Sequence, residues 1–255
     1  MVTGATSGLG RAMAEALLEA GAEVLAGARP GERLEAAVAL WRSHGWLAGS
    51  LPLDVRDPGS VEAAASHVAA AWGAPDILVN NAGIGMVTVN PEFMVRPRPF
   101  YEVSVAAFQN LIATNVTGYF SVAREFTRLM LRRGGGRIVC ISINRETMCR
   151  PGFVPYGPSR AATEAMALIM AEDLRPEGIT VNLLLPGGAT ATGMIPESVP
   201  ASVREHLLPP QVMGPPIRFL ASEEAAGVTG ERIVAREFPA WLERFRSGRP
   251  ADQGR

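Results

Sequence analysis

Thr3-Gly4-Ala5-Thr6-Ser7-Gly8-Leu9-Gly10 opens the first helical pattern of the chain. Glycines let a backbone pass close to a pyrophosphate, and the helix that follows offers unpaired N–H groups at the positive end of its dipole. A plain glycine-rich turn between a strand and a helix would use the same residues, so the stretch alone leaves both readings open. About 20 residues further on, where an acidic side chain would hold an adenine-ribose 2′-hydroxyl, the second apolar run ends in Gly27-Ala28-Arg29. No carboxylate stands there. Arg29 can pair with a 2′-phosphate, which favours NADP over NAD; an arginine simply solvated at a strand end is the competing explanation.

These residues need a scaffold, and the sequence outlines one. Apolar runs over 23–28, 47–53, 77–80, 137–142 and 179–185 read as buried strands, and amphipathic stretches over 9–20, 32–44, 61–72, 105–133 and 161–174 lie between them as helices. The alternation predicts an α/β fold, a doubly wound, mostly parallel sheet of Rossmann type with helices on both faces. Its ligand belongs at the carboxyl ends of the strands. No linker or compositional break divides the 255 residues, so a single unit over 1–255 is expected. The first strand is a puzzle, because only Met1, Val2 and Thr3 precede Gly4. Such a stub is short of the usual strand of about 5–6 residues, and the natural chain is expected to continue upstream of Met1.

Composition narrows the partners. A formal net charge of -1 gives no overall electrostatic reason to expect nucleic acid, and no apolar run approaches the length of a membrane span. Cys140 and Cys149 cannot build a disulfide framework or a four-cysteine zinc site, and His44, His67 and His206 lack metal-ligand spacing, so no metal is expected and a cytoplasmic location fits best. Neither a charged nor an apolar leader pattern follows Met1. All 24 basic residues are arginine, a bias that suggests a GC-rich coding history.

The chain resembles the short-chain dehydrogenase/reductase family through five motifs in order: TGxxxGxG at 3–10, NNAG at 80–83, Asn115, YxxxR at 156–160, and Pro186-Gly187. The resemblance spans nearly the whole chain and implies an NAD(P)-dependent oxidoreductase that interconverts a ketone or aldehyde and an alcohol. Carried onto this sequence, it makes Tyr156, Arg160, Ser142 and Asn115 the catalytic set. It assigns the dinucleotide to Gly4, Thr6, Ser7, Gly8, Leu9, Gly10, Arg29, Asp54, Val55, Asn81, Ala82, Gly83, Tyr156, Arg160, Pro186, Gly187, Gly188, Thr190 and Thr192. Tyr156 is then the general acid in reduction and the base in oxidation. A free phenol, with a pKa near 10, needs roughly 3 units of depression, about 4 kcal/mol, to be half ionised at neutral pH. Positive charge nearby can supply much of it.

Three departures qualify the match. The family's lysine four residues after the tyrosine is Arg160, which keeps the charge but is bulkier and cannot release a proton in a relay. In a chain without lysine, a tolerated swap is expected, with Arg160→Lys preserving or raising turnover. The serine thirteen residues before the tyrosine is replaced by Ile143; Ser142, one place earlier, would need a bulge to reach the substrate, and Asn144 and Thr147 are reserve donors. The PGxxxT threonine falls at Ala191, flanked by Thr190 and Thr192. A catalytically impaired NAD(P)-binding sensor or scaffold is therefore the alternative, and a redox epimerase is disfavoured because no added substrate domain is visible.

The segment 84–104, with Phe93, Phe100, Tyr101, Arg96 and Arg98, is the expected substrate loop, and 187–216 the lid. Residues 161–174 are apolar around most of a helix, which implies a second burial surface; the resemblance implies that this helix packs against a neighbouring subunit, so a homodimer or homotetramer is expected. The tail 239–255, with Arg244, Arg246, Arg249 and Arg255, is basic and expected to be solvated.

Overall fold

The structure, a computed structural model, describes residues 1–248. The apolar runs become strands β1 (Val2–Thr3), β2 (Val24–Ala28), β3 (Ala48–Pro52), β4 (Ile77–Asn80), β5 (Gly136–Ile141), β6 (Ile179–Leu185) and β7 (Arg232–Val234). The helices are α1 (Gly8–Glu19), α2 (Glu32–Ser43), α3 (Pro58–Trp72), α4 (Val105–Ile112), α5 (Gly118–Arg133), α6 (Arg145–Met148), α7 (Tyr156–Leu174), α8 (Ala201–Arg204), α9 (Gly214–Ala221) and α10 (Phe238–Arg246). All pairings are parallel, in the order β3-β2-β1-β4-β5-β6-β7. Strand order therefore reverses between β1 and β4, and a crevice opens there at their carboxyl ends.

Both faces of the sheet are covered, which is why its strands read as continuous apolar runs. On one face Val2, Val79 and Leu184 pack with Met13 and Leu17 of α1, Trp41 of α2, Ile217 and Phe219 of α9, and Trp241 of α10. On the other, Leu78, Ile138 and Leu183 meet Val61 and Val68 of α3, Phe126 and Met130 of α5, and Ala167 and Ala171 of α7. Helix ends follow local chemistry. Asp57 accepts a hydrogen bond from Gly59 N (3.0 Å) ahead of Pro58, and Gly134 closes α5 in the left-handed region at φ 83°.

Strand β1 has two residues, yet it lies in the middle of the sheet. Side chains complete what the short strand lacks. Thr3 Oγ1 accepts from Asn81 N (2.8 Å) and Ala82 N (2.9 Å), while Asn81 Nδ2 donates to Thr3 O (2.8 Å). The Met1 amino group donates to Ile77 O (2.8 Å), and burial lowers its pKa to about 6 against the pull of Asp76.

The long middle helix expected over 105–133 is not continuous: a π-helical turn at Ala113–Thr117 separates α4 from α5 and carries Asn115. Such turns insert one residue into the helical ladder and commonly mark functional positions. The pattern also missed β7, whose three residues give too short a run to stand out, and placed the start of α7 five residues late, at 161 instead of Tyr156. Arg244 and Arg246 fall in α10, whereas Arg249 and Arg255 lie outside the described residues.

Candidate active site

The glycine loop sits at the crevice, between β1 and α1. Gly4 and Gly8 hold φ +65° and +53°, angles that side chains rarely adopt. A Cβ at Gly10 would collide with the Gly4 carbonyl oxygen and the Asn81 side-chain amide. Ser7 precedes the helix in extended conformation and makes no side-chain cap to it, so Ser7, Gly8, Leu9 and Gly10 present backbone N–H groups at the helix start. This cradle, closed to any Cβ, fits a dinucleotide pyrophosphate. Asn81 and Ala82 brace it through Thr3, and Asn81 Nδ2 also reaches Gly4 O at 3.4 Å.

Arg29 is exposed just past the end of β2. Asp54 takes both Nε (3.2 Å) and Nη2 (2.8 Å) of Arg56, and these bonds hold its carboxyl below the usual range, with Arg29 adding a smaller pull. Val55 beside it is buried.

Pro186-Gly187-Gly188 follows β6. Gly187 lies at φ +91° beneath Arg236, whose Nη1 donates to Gly187 O (3.3 Å). Of the two threonines, Thr192 is brought to the glycine loop: its methyl group would lie 3.2 Å from a Cβ at Gly8. Thr190 is buried and turns back, donating to Gly188 O at 3.2 Å. A cavity of about 600 Å³ opens beside this contact, lined by Gly8, Arg11, Thr192, Ile195, Arg204 and Gln211.

Tyr156 begins α7, and Arg160 follows one turn later. Arg160 is 3% exposed; its Nη1 donates to Tyr119 OH (3.0 Å) and Ile141 O (3.0 Å), and its guanidinium carbon is 5.3 Å from the centre of the Tyr156 ring. Burial works against this charge, but the phenols of Tyr119 and Tyr156 outweigh it and raise the pKa above the ordinary arginine value. Nε of Arg160 is buried without a partner. Such an orphaned donor beside the crevice fits a ribose hydroxyl. Asn115 ties the region together: Oδ1 accepts from Ile84 N (2.9 Å), and Nδ2 donates to Ile84 O (2.9 Å) and Ser159 Oγ (3.2 Å). Ser159 Oγ in turn donates to Tyr156 O (2.7 Å), which fixes the first turn of α7.

Ser142 departs from the expected arrangement. Its hydroxyl is 1% exposed and donates to Glu164 Oε1 at 2.6 Å, so its proton is not free to polarise a substrate carbonyl. Strand β5 runs without a bulge to Ile141, and Ser142 N continues the ladder to Leu184 O (3.0 Å), which turns the hydroxyl toward α7. Glu164 also accepts from Arg232 Nε (2.9 Å), while Arg232 Nη2 holds Ile143 O (2.8 Å). Removing Glu164 strands a largely buried arginine and a serine. Glu164→Ala is expected to cost about 3 kcal/mol in urea unfolding and Glu164→Gln distinctly less; a loss below about 1 kcal/mol would show that the network bears little weight.

Met86, Phe93 and Phe153 form a small cluster that includes Met94 and Tyr156, with the rings of Phe93 and Phe153 5.4 Å apart. Phe100 and Tyr101, in the expected substrate loop, stay outside this cluster: they are 69% and 75% exposed and pack against each other. Arg96 faces solvent near Glu92, and Arg98 lines a separate cavity of about 90 Å³ with Glu102 and Met86. Tyr119, Glu164 and Arg232 escaped the sequence reading. Helical spacing is the one signal that could have found Tyr119, four residues beyond Asn115 and therefore on the same face.

The glycine cradle, buried Asn115 and the Tyr156–Arg160 pair come together at one edge of the sheet. The chain belongs to the short-chain dehydrogenase/reductase family: residues 1–202 match the short chain dehydrogenase family. It is 34% identical over 187 residues to gluconate 5-dehydrogenase of Gluconobacter oxydans (strain 621H), covering 73% of this chain and 69% of that protein. It is 30% identical over 240 residues to 3-oxoacyl-(acyl-carrier-protein) reductase FabG of Escherichia coli (strain K12), covering 91% and 93%. Among solved structures, a gluconate 5-dehydrogenase from Burkholderia cenocepacia J2315 in complex with NADP and tartrate superposes with a TM-score of 0.81 at 28% identity, covering 91% of each chain. A 3-ketoacyl-(acyl-carrier-protein) reductase from Brucella melitensis complexed with NADH gives 0.78 at 25% identity, covering 91% of this chain and 93% of that one. The protein is an oxidoreductase acting on CH–OH groups with NAD(P). Among the described residues no cluster could hold a metal ion, and no helix is long and apolar enough to cross a membrane.

Proposed function

We propose that the protein interconverts a ketone or aldehyde and its alcohol with NADP, through Tyr156. The observation that carries this is the buried guanidinium of Arg160, held against the Tyr156 ring with Nε unpartnered. The glycine cradle and Arg160 would hold the dinucleotide, whose nicotinamide would supply or accept the hydride. Tyr156 gives its phenolic proton to the carbonyl oxygen in reduction and takes it back in oxidation. Arg160 holds a buried positive charge beside the phenol, and its unpartnered Nε suits the nicotinamide ribose. Asn115 holds the first turn of α7 through Ser159, and with it the phenol. The 2.6 Å bond from Ser142 to Glu164 supports a holding role for that serine rather than contact with substrate. Met86, Phe93 and Phe153 favour a carbonyl compound with at least one apolar arm. Residues 84–104 then serve as the substrate loop and 187–216 as the lid, within one unit over 1–255.

Arg29 supports NADP over NAD, since no carboxylate stands at the end of β2. Fluorescence titration is expected to give tighter NADPH than NADH binding, and Arg29→Ala to weaken NADPH about tenfold while leaving NADH unchanged. Tighter NADH binding would overturn the NADP preference. NADPH binding with no reduction of any member of a ketone and aldehyde panel would replace the enzyme by a cofactor-binding sensor or scaffold.

A homodimer or homotetramer completes the proposal. Leu168 and Ile169 on α7 are 47% and 62% exposed, and Val105, Phe108 and Phe120 on α4 and α5 are also open. Light scattering at a monomer mass would remove this part. The free thiols Cys140 and Cys149, the latter exposed, suit a reducing cytoplasm.

A further inference from the structure

We propose that Tyr119 is a positioning residue for the charge of the site: with Ile141 O and the bare backbone of Gly83, it forms a socket for the Arg160 guanidinium and holds it beside Tyr156. The inference rests on the proposed role of Tyr156 and extends it to a residue that touches neither substrate nor cofactor.

The socket has three parts. Tyr119 OH accepts from Arg160 Nη1 (3.0 Å) and donates to Ile141 O (3.2 Å), so one hydroxyl ties the cation to the end of β5. The same Nη1 also donates to Ile141 O (3.0 Å). Opposite, a Cβ at Gly83 would lie 2.6 Å from Arg160 Nη2, so only glycine leaves room for the planar group. The Tyr119 ring adds its face, with the guanidinium carbon 5.5 Å from its centre. One edge of the guanidinium is thereby fixed, and Nε is left without a partner. A compact ammonium would need neither the reach nor the planar slot.

The hydroxyl can accept and donate at once only while it is neutral. Burial pushes Tyr119 up to about 12, although Arg160 pulls the other way. The other titratable groups around the cation are Tyr156 on its own helix and Cys140 on β5, whose thiol burial likewise pushes up to about 12. Glu164, the next turn along α7, is engaged with Ser142 and Arg232.

The test uses nitrogen-15 NMR of the arginine side chains in the cofactor-free protein, with the Arg160 signals assigned by their loss in Arg160→Lys. A guanidinium held on one edge rotates slowly and shows separate Nη1 and Nη2 signals; Tyr119→Phe, which keeps the ring, is expected to merge them. Reduction of ethyl acetoacetate by NADPH is the second readout. Tyr119→Phe is expected to lower kcat about tenfold, and to have no further effect when placed in Arg160→Lys. Unchanged guanidinium signals, or an equal kcat loss in both backgrounds, would overturn the proposal. Should Tyr119→Phe not fold, Gly83→Ala fills the socket from the other side and is expected to merge the same signals; separate signals there would also overturn it. A Tyr156→Phe enzyme with full turnover would instead sink the proton-transfer role and leave the NMR result standing.

Discussion

Tyr156→Phe is expected to fold, to bind NADPH within about threefold of the parent protein, and to lose about 10³-fold or more in kcat. The substitution removes one oxygen and keeps the ring that packs with Met86, Phe93 and Phe153, so the apolar wall survives. What disappears is the proton for the carbonyl oxygen. A positioned acid or base contributes typically about 10²–10⁴ in rate, and the two buried hydroxyls nearby are engaged elsewhere: Ser142 with Glu164 and Tyr119 with Ile141 O. Steady-state reduction of a carbonyl panel by NADPH measures the loss. Turnover within tenfold of the parent would mean that another group moves the proton.

The second large effect belongs to Arg160. Arg160→Met keeps a long flexible side chain in the same buried space and removes the charge. We expect kcat to fall about 10²-fold while stability holds or improves, because replacing a buried cation by an apolar chain is often neutral or stabilising. Tyr119 OH retains Ile141 O as its acceptor, so the socket is not left with a stranded donor. Arg160→Lys restores the charge and is expected to preserve or raise turnover. Opposite directions for kcat and melting temperature in Arg160→Met separate lost chemistry from lost structure. Parent-like kcat in Arg160→Met would show that the charge does not assist the reaction.

The sequence outlines the fold where the chain is buried on both faces. Ile77–Asn80 and Ile179–Leu185 are uninterrupted apolar runs because helices cover each side of the sheet, and such runs announce themselves. Strand β7, three residues at the sheet edge, does not, since Arg232 faces Glu164 and breaks the pattern. The short β1 was legible as an anomaly, but its remedy was not: Thr3 and Asn81 meet across 78 residues, a pairing that no local pattern encodes. Within the candidate site, the glycine turn could be read from its own residues and the Tyr156–Arg160 pair from the family resemblance, because both are local in sequence. Spacing failed for Ser142. One residue of register along a strand moves a side chain to the opposite face of the sheet, and an unbulged β5 carries the hydroxyl to Glu164. Thr192 and Thr190 could not be ranked from sequence for a related reason: the loop path that lays one on Gly8 and folds the other back on Gly188 depends on the bridge between Thr190 and Leu208.

The central claim is that a guanidinium does the work of holding charge beside the phenol that moves the proton. A crystal structure of the complex with NADP⁺ tests it most directly. The expected result is the Tyr156 hydroxyl facing the reactive carbon of the nicotinamide ring, Arg160 Nε on a ribose hydroxyl, and Nη1 still on Tyr119 and Ile141 O. A Tyr156 hydroxyl turned away from the nicotinamide, with Arg160 making no contact to the ribose, would contradict it.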